Sequence, residues 1–270
     1  MCQLLGMNCN VPTDICFSFT GFQARGGLTD NHKDGWGITF FEGKGVRQFL
    51  DPNPSCHSPI ADFVRTYPIK SKNVIAHIRR ATQGEVKLEN THPFIREMWG
   101  QYWSFAHNGD LKNFTPALQG NFHPVGNTDS EQAFCFILQD LKKSFGDKAP
   151  SLEHLSKRLH ELTLVLATFG VVNFLLSNGE FMIAHCSTRL ASLVRHAPFS
   201  VAHLKDQDMA IDFTPLTTSN DRVAVIATQP LTQNEQWTIH KPGTLMILVD
   251  GQIIKEFQTV AGPEKDCPAS

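Results

Sequence analysis

The chain has 270 residues, of which 41% are hydrophobic and 19% are charged, and its formal net charge at pH 7 is -2. This length and composition are typical of a globular protein with a substantial core. A net charge so close to zero gives no support to nucleic-acid binding or to attachment at an anionic membrane. We therefore expect a small-molecule ligand, with no nucleic acid and no membrane as partner.

The cysteines form an odd set of seven without a Cys-x-x-Cys pair, at positions 2, 9, 16, 56, 135, 186 and 267. This spacing argues against a disulfide framework and against a thiolate zinc site. Free thiols and the lack of a secretion signal at the start of the chain predict a cytosolic protein. The longest apolar run, residues 162–176, is broken by polar residues and is shorter than the ~18 residues of a membrane helix. We expect no metal and no cofactor.

Short apolar runs bounded by turn residues predict eleven strands, at residues 3–7, 36–41, 46–50, 74–79, 102–106, 171–177, 181–185, 223–228, 237–240, 244–249 and 253–257. Helical periodicity predicts helices at residues 58–66, 130–145 and 152–168. Asn178-Gly179 and Asp250-Gly251 are typical of type I′ hairpin turns. Strands that do not alternate with helices exclude a simple βαβ fold and favour two sheets covered by helices. We predict one domain over residues 2–257, followed by a loose polar tail at 258–270.

The second residue is a cysteine, and removal of Met1 would make it the first. The thiol and a free α-amino group would then share one carbon atom. The α-amine has a reference pKa of ~7.7–8, so it can be neutral at working pH and act as the base for the thiol. A cysteine also occurs at this position by chance, so the catalytic interpretation depends on partner residues and on the loss of Met1.

Three further segments carry residues suited to binding an amino acid. The first, residues 77–84, is a strand that leads into a loop, where Arg79 can hold a carboxylate bidentately and Thr82 can add a hydroxyl contact. Two exposed arginines at the end of a strand are the alternative interpretation.

The second segment, residues 105–110, contains Asn108 and Gly109 after an apolar run. Asn-Gly in this position is the usual hairpin turn. The alternative is an oxyanion hole, in which the Asn108 amide and the Gly109 backbone N–H stabilise a tetrahedral intermediate.

The third segment, residues 126–131, precedes the helix predicted at 130–145. Thr128 and Glu131 fit a capping box, and Asp129 falls in the first turn, where the helix dipole favours a carboxylate. Asp129 can also receive the α-ammonium group of an amino acid. Capping and ligand binding are compatible here.

These segments together resemble the class II glutamine amidotransferases, the cysteine branch of the N-terminal nucleophile hydrolases. The matching residues follow the family's order over roughly the first half of the chain: Cys2, Arg25-Gly26, Asp34-Gly35-Trp36-Gly37, His77-x-Arg79-x-Ala81-Thr82, Asn90-x-His92-Pro93, His107-Asn108-Gly109 and Thr128-Asp129-Ser130-Glu131. Each motif is weak singly, but their order makes chance a poor explanation.

The resemblance implies an α+β fold, a four-layer αββα sandwich with two antiparallel sheets between helix layers and Cys2 at the start of a central strand. By family role, Arg79 and Thr82 would bind the carboxylate end of glutamine and Asp129 its amine. Asn108 and Gly109 would form the oxyanion hole. Residues 82–90 would close over the substrate, and Arg25 and His92 look like supporting residues near the site.

The sequence departs from the family pattern in two ways. Gln83 stands where the synthases of the family commonly carry histidine, and Arg80 where some carry tryptophan. The family's synthases also append a second domain that consumes ammonia, whereas the elements predicted here are exhausted by the glutaminase fold. The resemblance therefore implies a stand-alone protein, which either passes ammonia to a separate partner chain or simply hydrolyses glutamine or a larger γ-glutamyl amide.

Two other classes compete with this interpretation. A non-catalytic protein would keep the amino-acid pocket and bind glutamine without turnover. A metal-dependent hydrolase is suggested only by the twelve histidines, and no His-x-x-x-His pattern supports it. The oligomeric state and the natural substrate are not indicated by the sequence.

Overall fold

Two large antiparallel sheets and four α-helices build the fold in a computed structural model of the protein, which describes residues 2–81 and 84–259. The predicted site residue Thr82, its neighbour Gln83 and residues 260–270 of the predicted tail lie outside the described residues. No helix in the described part of the chain is long and apolar enough to cross a membrane.

The helices are α1 (Cys16–Ala24), α2 (Pro59–Thr66), α3 (Asp129–Phe145) and α4 (Leu152–Ala167). The strands are β1 (Gln3–Thr13), β2 (Trp36–Glu42), β3 (Gly45–Asp51), β4 (Ser71–Ile78), β5 (Phe94–Met98), β6 (Gln101–Leu111), β7 (Gly170–Ser177), β8 (Met182–Cys186), β9 (Ala191–His196), β10 (Val201–His203), β11 (Ala210–Asp212), β12 (Arg222–Ala227), β13 (Thr238–Ile239), β14 (Thr244–Val249) and β15 (Gln252–Gln258). The first sheet has the order β13-β9-β12-β1-β4-β2-β3, and the second has the order β15-β14-β8-β7-β6-β5. Strands β10 and β11 form a separate small hairpin.

Three buried cores define the layers. The first sheet packs on α1 and α2 through side chains that include Leu5, Phe19 and Val64. The second sheet packs on α3 and α4 through another set that includes Phe134 and Leu159. A third core, with Leu4, Ile75 and Leu175, lies between the two sheets. The order of layers is helix, sheet, sheet, helix, which confirms the predicted αββα sandwich.

Strand β1 is the middle strand of the first sheet, and Cys2 directly precedes it. Leu5 and Met7 face the helices, whereas Leu4 faces the second sheet. Successive side chains of a strand point to opposite faces, so Gly6 shares the face of Leu4. A Cβ on Gly6 would lie 2.8 Å from the Met182 sulfur of the second sheet. The small residue therefore lets the two sheets approach closely along β1.

Helix α1 was absent from the predicted elements. Eight of its nine residues are buried, so its sequence has no polar face to reveal a helical period. Strand β5 was also missed, because Arg96 and Glu97 occupy the middle of this edge strand. The three-residue strands β10 and β11 are too short for a pattern, and β9 carries polar residues that are ordered by pairing with β12. The other predicted elements are present with ends shifted by at most three residues, except that β1 continues to Thr13 and β6 to Leu111, well beyond the predicted ends at 7 and 106.

The two predicted hairpin turns differ in the structure. Asp250 and Gly251 both have positive φ, 47° and 76°, as the type I′ turn requires. The β7–β8 connection is instead a four-residue loop, in which Gly179 has a φ of 92° and Asn178 does not have a positive φ. The prediction of a type I′ turn at Asn178-Gly179 is therefore wrong.

Candidate active site

The Cys2 thiol lies against the backbone of Arg80, just beyond the end of β4. The thiol donates to the Arg80 carbonyl, with 3.3 Å between sulfur and oxygen, and accepts from the Arg80 N–H at 3.2 Å. Although the residue as a whole is partly exposed, burial raises the pKa of the Cys2 thiol, and the Arg80 N–H opposes this only in part. The resting group is thus a neutral thiol that needs a base before it can act as a nucleophile.

Arg79 is a buried cation beside this thiol, with 3% of its surface exposed. Its guanidinium donates to the Gly84 carbonyl at 3.1 Å and to the Glu85 carbonyl at 3.0 Å. Burial lowers the pKa of Arg79, while the nearby Cys2, Asp34 and Asp129 raise it. The carboxylates of Asp34 and Asp129 therefore compensate for part of the desolvation of the guanidinium.

Asp129 is the first residue of α3 and is 8% exposed. Its carboxylate accepts the Leu111 N–H at 2.8 Å, which ties the helix to the end of β6. The predicted cap is present, since Thr128 Oγ1 accepts the Glu131 N–H at 3.2 Å. The Glu131 carboxylate turns to the Gly126 N–H and to Arg96 instead of completing a capping box.

Asn108 and Gly109 lie inside β6, so the hairpin-turn interpretation of this pair is wrong. The Asn108 side chain crosses between the sheets, where its Nδ2 donates to the Cys2 carbonyl at 2.7 Å. Its Oδ1 is buried without a hydrogen-bond partner among the described residues. A Cβ at position 109 would lie 1.8 Å from the Val171 carbonyl oxygen, so only glycine fits this close approach of β6 to β7.

These elements enclose a cavity of about 20 Å³, which we call the Cys2 cavity. Five predicted site residues line this cavity, namely Cys2, Arg79, His92, Gly109 and Asp129. The remaining lining residues are Arg80, His107, Thr128 and Ser130. This volume accommodates about one water molecule. This space is smaller than a glutamine side chain.

His92 lines the Cys2 cavity, and its ring centroid is 4.3 Å from that of the buried His77. Burial lowers the pKa of His77 to about 3 and that of His92 well below its ordinary value. Both rings are neutral at pH 7. His107 is anchored differently, through contacts of its two ring nitrogens with Ser130 Oγ at 2.8 Å and the Val171 carbonyl at 3.1 Å. Within residues 2–81 and 84–259, no group of three His, Cys, Asp or Glu side chains is placed to hold a metal ion.

Arg25, predicted as a supporting residue, does not line the Cys2 cavity. It forms a buried ion pair with Asp206 at 2.7 Å and donates to the Pro230 carbonyl at 2.7 Å. A longer contact of 3.5 Å reaches the side chain of Gln3, next to Cys2. Arg25 thus braces the start of β1 from outside the cavity.

The described part of the predicted lid, residues 84–90, is fastened at two points. The carbonyls of Gly84 and Glu85 accept hydrogen bonds from the Arg79 guanidinium. The Asn90 side chain donates to the Glu85 carbonyl at 3.0 Å and to Asn127 Oδ1 at 2.9 Å, and its own oxygen accepts the Asn127 N–H at 3.0 Å. Asn90 therefore joins the segment to the turn that precedes Asp129.

Sequence reasoning assigned no role to several residues of this region. His77, His107 and Asn90 belong to the motifs of the family resemblance, but the sequence does not indicate which residues they contact. Asn173 carried a different signal, because a lone asparagine interrupts the apolar strand β7. It contacts the backbone of Asn108.

The fold and the arrangement of residues around Cys2 define the class of protein, an αββα sandwich of the N-terminal nucleophile hydrolase type. A solved structure of glutamine phosphoribosylpyrophosphate amidotransferase from Bacillus subtilis has the same fold, with a TM-score of 0.58 at 18% identity. The match covers 95% of this chain and 49% of that chain, and at this identity it shows the fold alone.

The family follows from closer matches. The sequence profile described as "Glutamine amidotransferases class-II" matches residues 1–268. The chain is 55% identical over 252 residues to the Escherichia coli (strain K12) protein YafJ, covering 93% of this chain and 99% of YafJ. A crystal structure of a predicted glutamine amidotransferase from Pseudomonas aeruginosa has a TM-score of 0.76 at 44% identity, covering 94% and 99% of the two chains. The protein therefore belongs to the class II glutamine amidotransferases.

Proposed function

We propose that the protein hydrolyses the side-chain amide of glutamine, or of a related γ-glutamyl compound, through a thioester on Cys2. The observation that carries this proposal is the Cys2 cavity, where a thiol, a buried arginine, a buried aspartate and the Asn108-Gly109 peptide meet. A γ-glutamyl amide has matching groups: a carboxylate, an ammonium and an amide carbonyl.

Arg79 and Asp129 would fix the two charged ends of the substrate. Arg79 holds carbonyl oxygens of residues 84 and 85. A carboxylate is a stronger acceptor than these neutral carbonyls, so we propose that substrate draws the guanidinium toward itself. Asp129 would receive the α-ammonium group, and Thr82 remains a predicted contact to the carboxylate end. Residues 82–90 would open and close as a lid, since the cavity of about 20 Å³ is too small for a glutamine side chain.

The reaction starts after removal of Met1. The neutral α-amine of Cys2 takes the thiol proton, and the thiolate attacks the δ-carbonyl carbon, forming an S–C bond and an oxyanion. Collapse of the intermediate breaks the C–N bond, and the ammonium group returns its proton to the departing nitrogen, which leaves as ammonia or an amine. Water then loses a proton to the amine and attacks the thioester. The C–S bond breaks, the thiol is restored, and the γ-carboxylate product is released.

Asn108 and Gly109 would stabilise the oxyanion of both steps. The Asn108 amide already donates one N–H to the Cys2 carbonyl, which holds its Nδ2 beside the nucleophile. Its second N–H and the Gly109 backbone N–H are the proposed oxyanion donors. Groups held in place before reaction cost no reorganisation when the charge develops.

We further propose that the glutamine amidotransferase domain spans residues 2–257, followed by a tail at 258–270. Ammonia would be released or passed to a separate acceptor protein. The six described cysteines form no disulfide with one another, which supports a reducing compartment such as the cytosol.

The test uses purified protein whose N-terminus is shown by intact mass to begin at Cys2. A diazo-ketone analogue of glutamine should add covalently to Cys2, and glutamate should be released from a panel of γ-glutamyl amides. Cys2→Ala should lose both, with a rate loss of at least about 10⁴-fold. Cys16→Ala is the matched control, because this thiol is also partly exposed but lies on α1.

Two outcomes would overturn the proposal. Turnover that survives in Cys2→Ala would remove the nucleophile. Glutamine binding without labelling or product in the Met1-free protein would support the competing class, a binding protein that keeps the pocket without catalysis.

A further inference from the structure

Asn173 is a fully buried side chain in the middle of β7, directly opposite Asn108 of β6. Its neighbours Val172 and Phe174 face α3 and α4, whereas Asn173 shares the face of Leu175 toward the first sheet. A carboxamide in this place is costly to bury unless its hydrogen bonds are made. The oxygen and the nitrogen of the Asn173 side chain both form hydrogen bonds within the protein.

The oxygen of Asn173 accepts three consecutive backbone N–H groups. These belong to Ser187, Thr188 and Arg189, at 2.9, 2.9 and 3.3 Å. Residues 187–189 lie in the link that carries the chain from β8 in the second sheet to β9 in the first. The three contacts fix the position of the Asn173 side chain, and with it the direction of its Nδ2.

The nitrogen of Asn173 donates to the Asn108 carbonyl at 3.0 Å and to Thr188 Oγ1 at 3.0 Å. The Asn108 carbonyl belongs to the same peptide unit as the Gly109 N–H. In a trans peptide, the C=O and N–H of one unit are held in a plane and point in opposite directions. A hydrogen bond that holds the Asn108 oxygen therefore also sets the direction of the Gly109 N–H.

We propose that Asn173 is a positioning residue of the oxyanion hole, which aims the Gly109 N–H into the Cys2 cavity by holding the Asn108 carbonyl. The proposal rests on the proposed function. The close approach of Gly109 to the Val171 carbonyl restrains the same peptide from the β7 side. A residue that only fastened the 187–189 link would need the three accepted hydrogen bonds, but not the donation to Asn108.

Asn173→Asp separates these two roles. The carboxylate retains oxygen acceptors for the three N–H groups of residues 187–189 but has no N–H to donate to the Asn108 carbonyl. We expect kcat on a chromogenic γ-glutamyl anilide to fall by about 10-fold or more, short of the ~10²–10³ that follows removal of an oxyanion donor. KM should stay within about threefold, because Arg79 and Asp129 are untouched.

Asn73→Asp is the matched control. Asn73 is equally buried, accepts from Asn8 at 2.8 Å, and donates to the Gly179 carbonyl at 2.6 Å, so this change also swaps a donor for a carboxylate oxygen. It lies away from the Cys2 cavity, and we expect its kcat to stay unchanged. If Asn173→Asp does not fold, Asn173→Ser is the second variant, since its short side chain loses the reach to Asn108 without adding charge.

The outcomes separate the two proposals. An inactive Met1-free parent protein would overturn the proposed function itself. An active parent with unchanged kcat in a folded Asn173→Asp or Asn173→Ser protein would overturn the role of Asn173. The supporting result is a fall in kcat at constant KM, together with a shift of the Gly109 amide resonance in the ¹⁵N NMR spectrum that Asn73→Asp does not cause.

Discussion

Buried asparagines lie between the sheets at two places along β1, but their hydrogen bonding differs: beside the start of the strand at Cys2, which we call the Cys2 end, and at its middle, which we call the Asn8 region. In the Asn8 region, Asn8 donates to Asn73 and accepts the Gly251 N–H at 2.8 Å, while Asn73 donates to the Gly179 carbonyl. These contacts tie two turns of the second sheet to the first sheet. At the Cys2 end, the side-chain Oδ1 of Asn108 and both ring nitrogens of His92 are buried without hydrogen-bond partners among the described residues.

The difference separates a structural polar cluster from a candidate reaction site. Buried polar groups are normally hydrogen-bonded, because an unmade bond costs about 1–3 kcal/mol. The Asn8 region obeys this rule and needs nothing else. The Cys2 end leaves polar atoms beside a small cavity, which is the condition expected of a site that completes its hydrogen bonds with a ligand. Substitutions should therefore lower stability in the Asn8 region and activity at the Cys2 end.

The largest contrast is expected between Asn108→Ala and Asn8→Ala. Loss of the Asn108 amide should lower kcat by about 10²–10³-fold, because one of the two proposed oxyanion donors is removed. Loss of the Asn8 side chain should leave kcat unchanged and lower the free energy of unfolding by about 1–3 kcal/mol, because Asn73 and the Gly251 N–H lose their partner. Steady-state kinetics and urea unfolding of both variants check this. A loss of kcat in Asn8→Ala would remove the distinction between the Asn8 region and the Cys2 end.

A smaller effect, on binding, is expected for Asp129→Asn. The amide oxygen can still accept the Leu111 N–H, but the negative charge for the α-ammonium group is gone. KM for a γ-glutamyl amide should rise by about 10–100-fold, the equivalent of one charge-assisted hydrogen bond. A substrate without the α-amine, the monoamide of glutaric acid, should show no such change. Asp140 lies elsewhere on α3 and forms an ion pair with Arg158 of α4. Asp140→Asn is the control and should leave both KM values unaltered.

A further contrast concerns acid stability, to which the buried His77 at the Cys2 end should contribute. The pKa of His77 is about 3 in the folded protein and ~6.5 when unfolded. Above pH 6.5 the ring is neutral in both states and stability does not depend on it. Between pH 6.5 and 3 only the unfolded chain takes up the proton, so the free energy of unfolding falls as pH falls, by up to about 1.4 kcal/mol per pH unit.

Chemical unfolding at a series of pH values tests this, with His77→Gln expected to flatten the slope in that window. Direct NMR titration of the wild-type imidazole gives an independent measure and should find His77 neutral at pH 5. A ring that titrates near 6.5 in the folded protein would contradict the expectation. The Asn8–Asn73 contacts contain no titratable group and should not contribute to the slope.

The sequence by itself determined the chemistry available and much of the fold. Residue types at fixed spacing pointed to Cys2, Arg79, Asn108, Gly109 and Asp129, and the structure places four of them on one cavity with Asn108 bonded to Cys2. Alternation of apolar residues located most strands, and Asp250-Gly251 located a turn, because these signals act over a few neighbouring residues.

Tertiary structure decided what depends on partners far apart in the chain. Asn108-Gly109 has the local propensity of a turn, yet pairing with β7 keeps it within a strand. Arg25 belongs to a family motif, but Asp206, distant in sequence, holds it away from the cavity. In the sequence Asn173 is only an interruption of an apolar run, and its proposed role depends on the hydrogen bond to Asn108 on the opposite strand. Local propensities amount to fractions of a kcal/mol, whereas strand pairing and buried ion pairs involve several groups at once and override them.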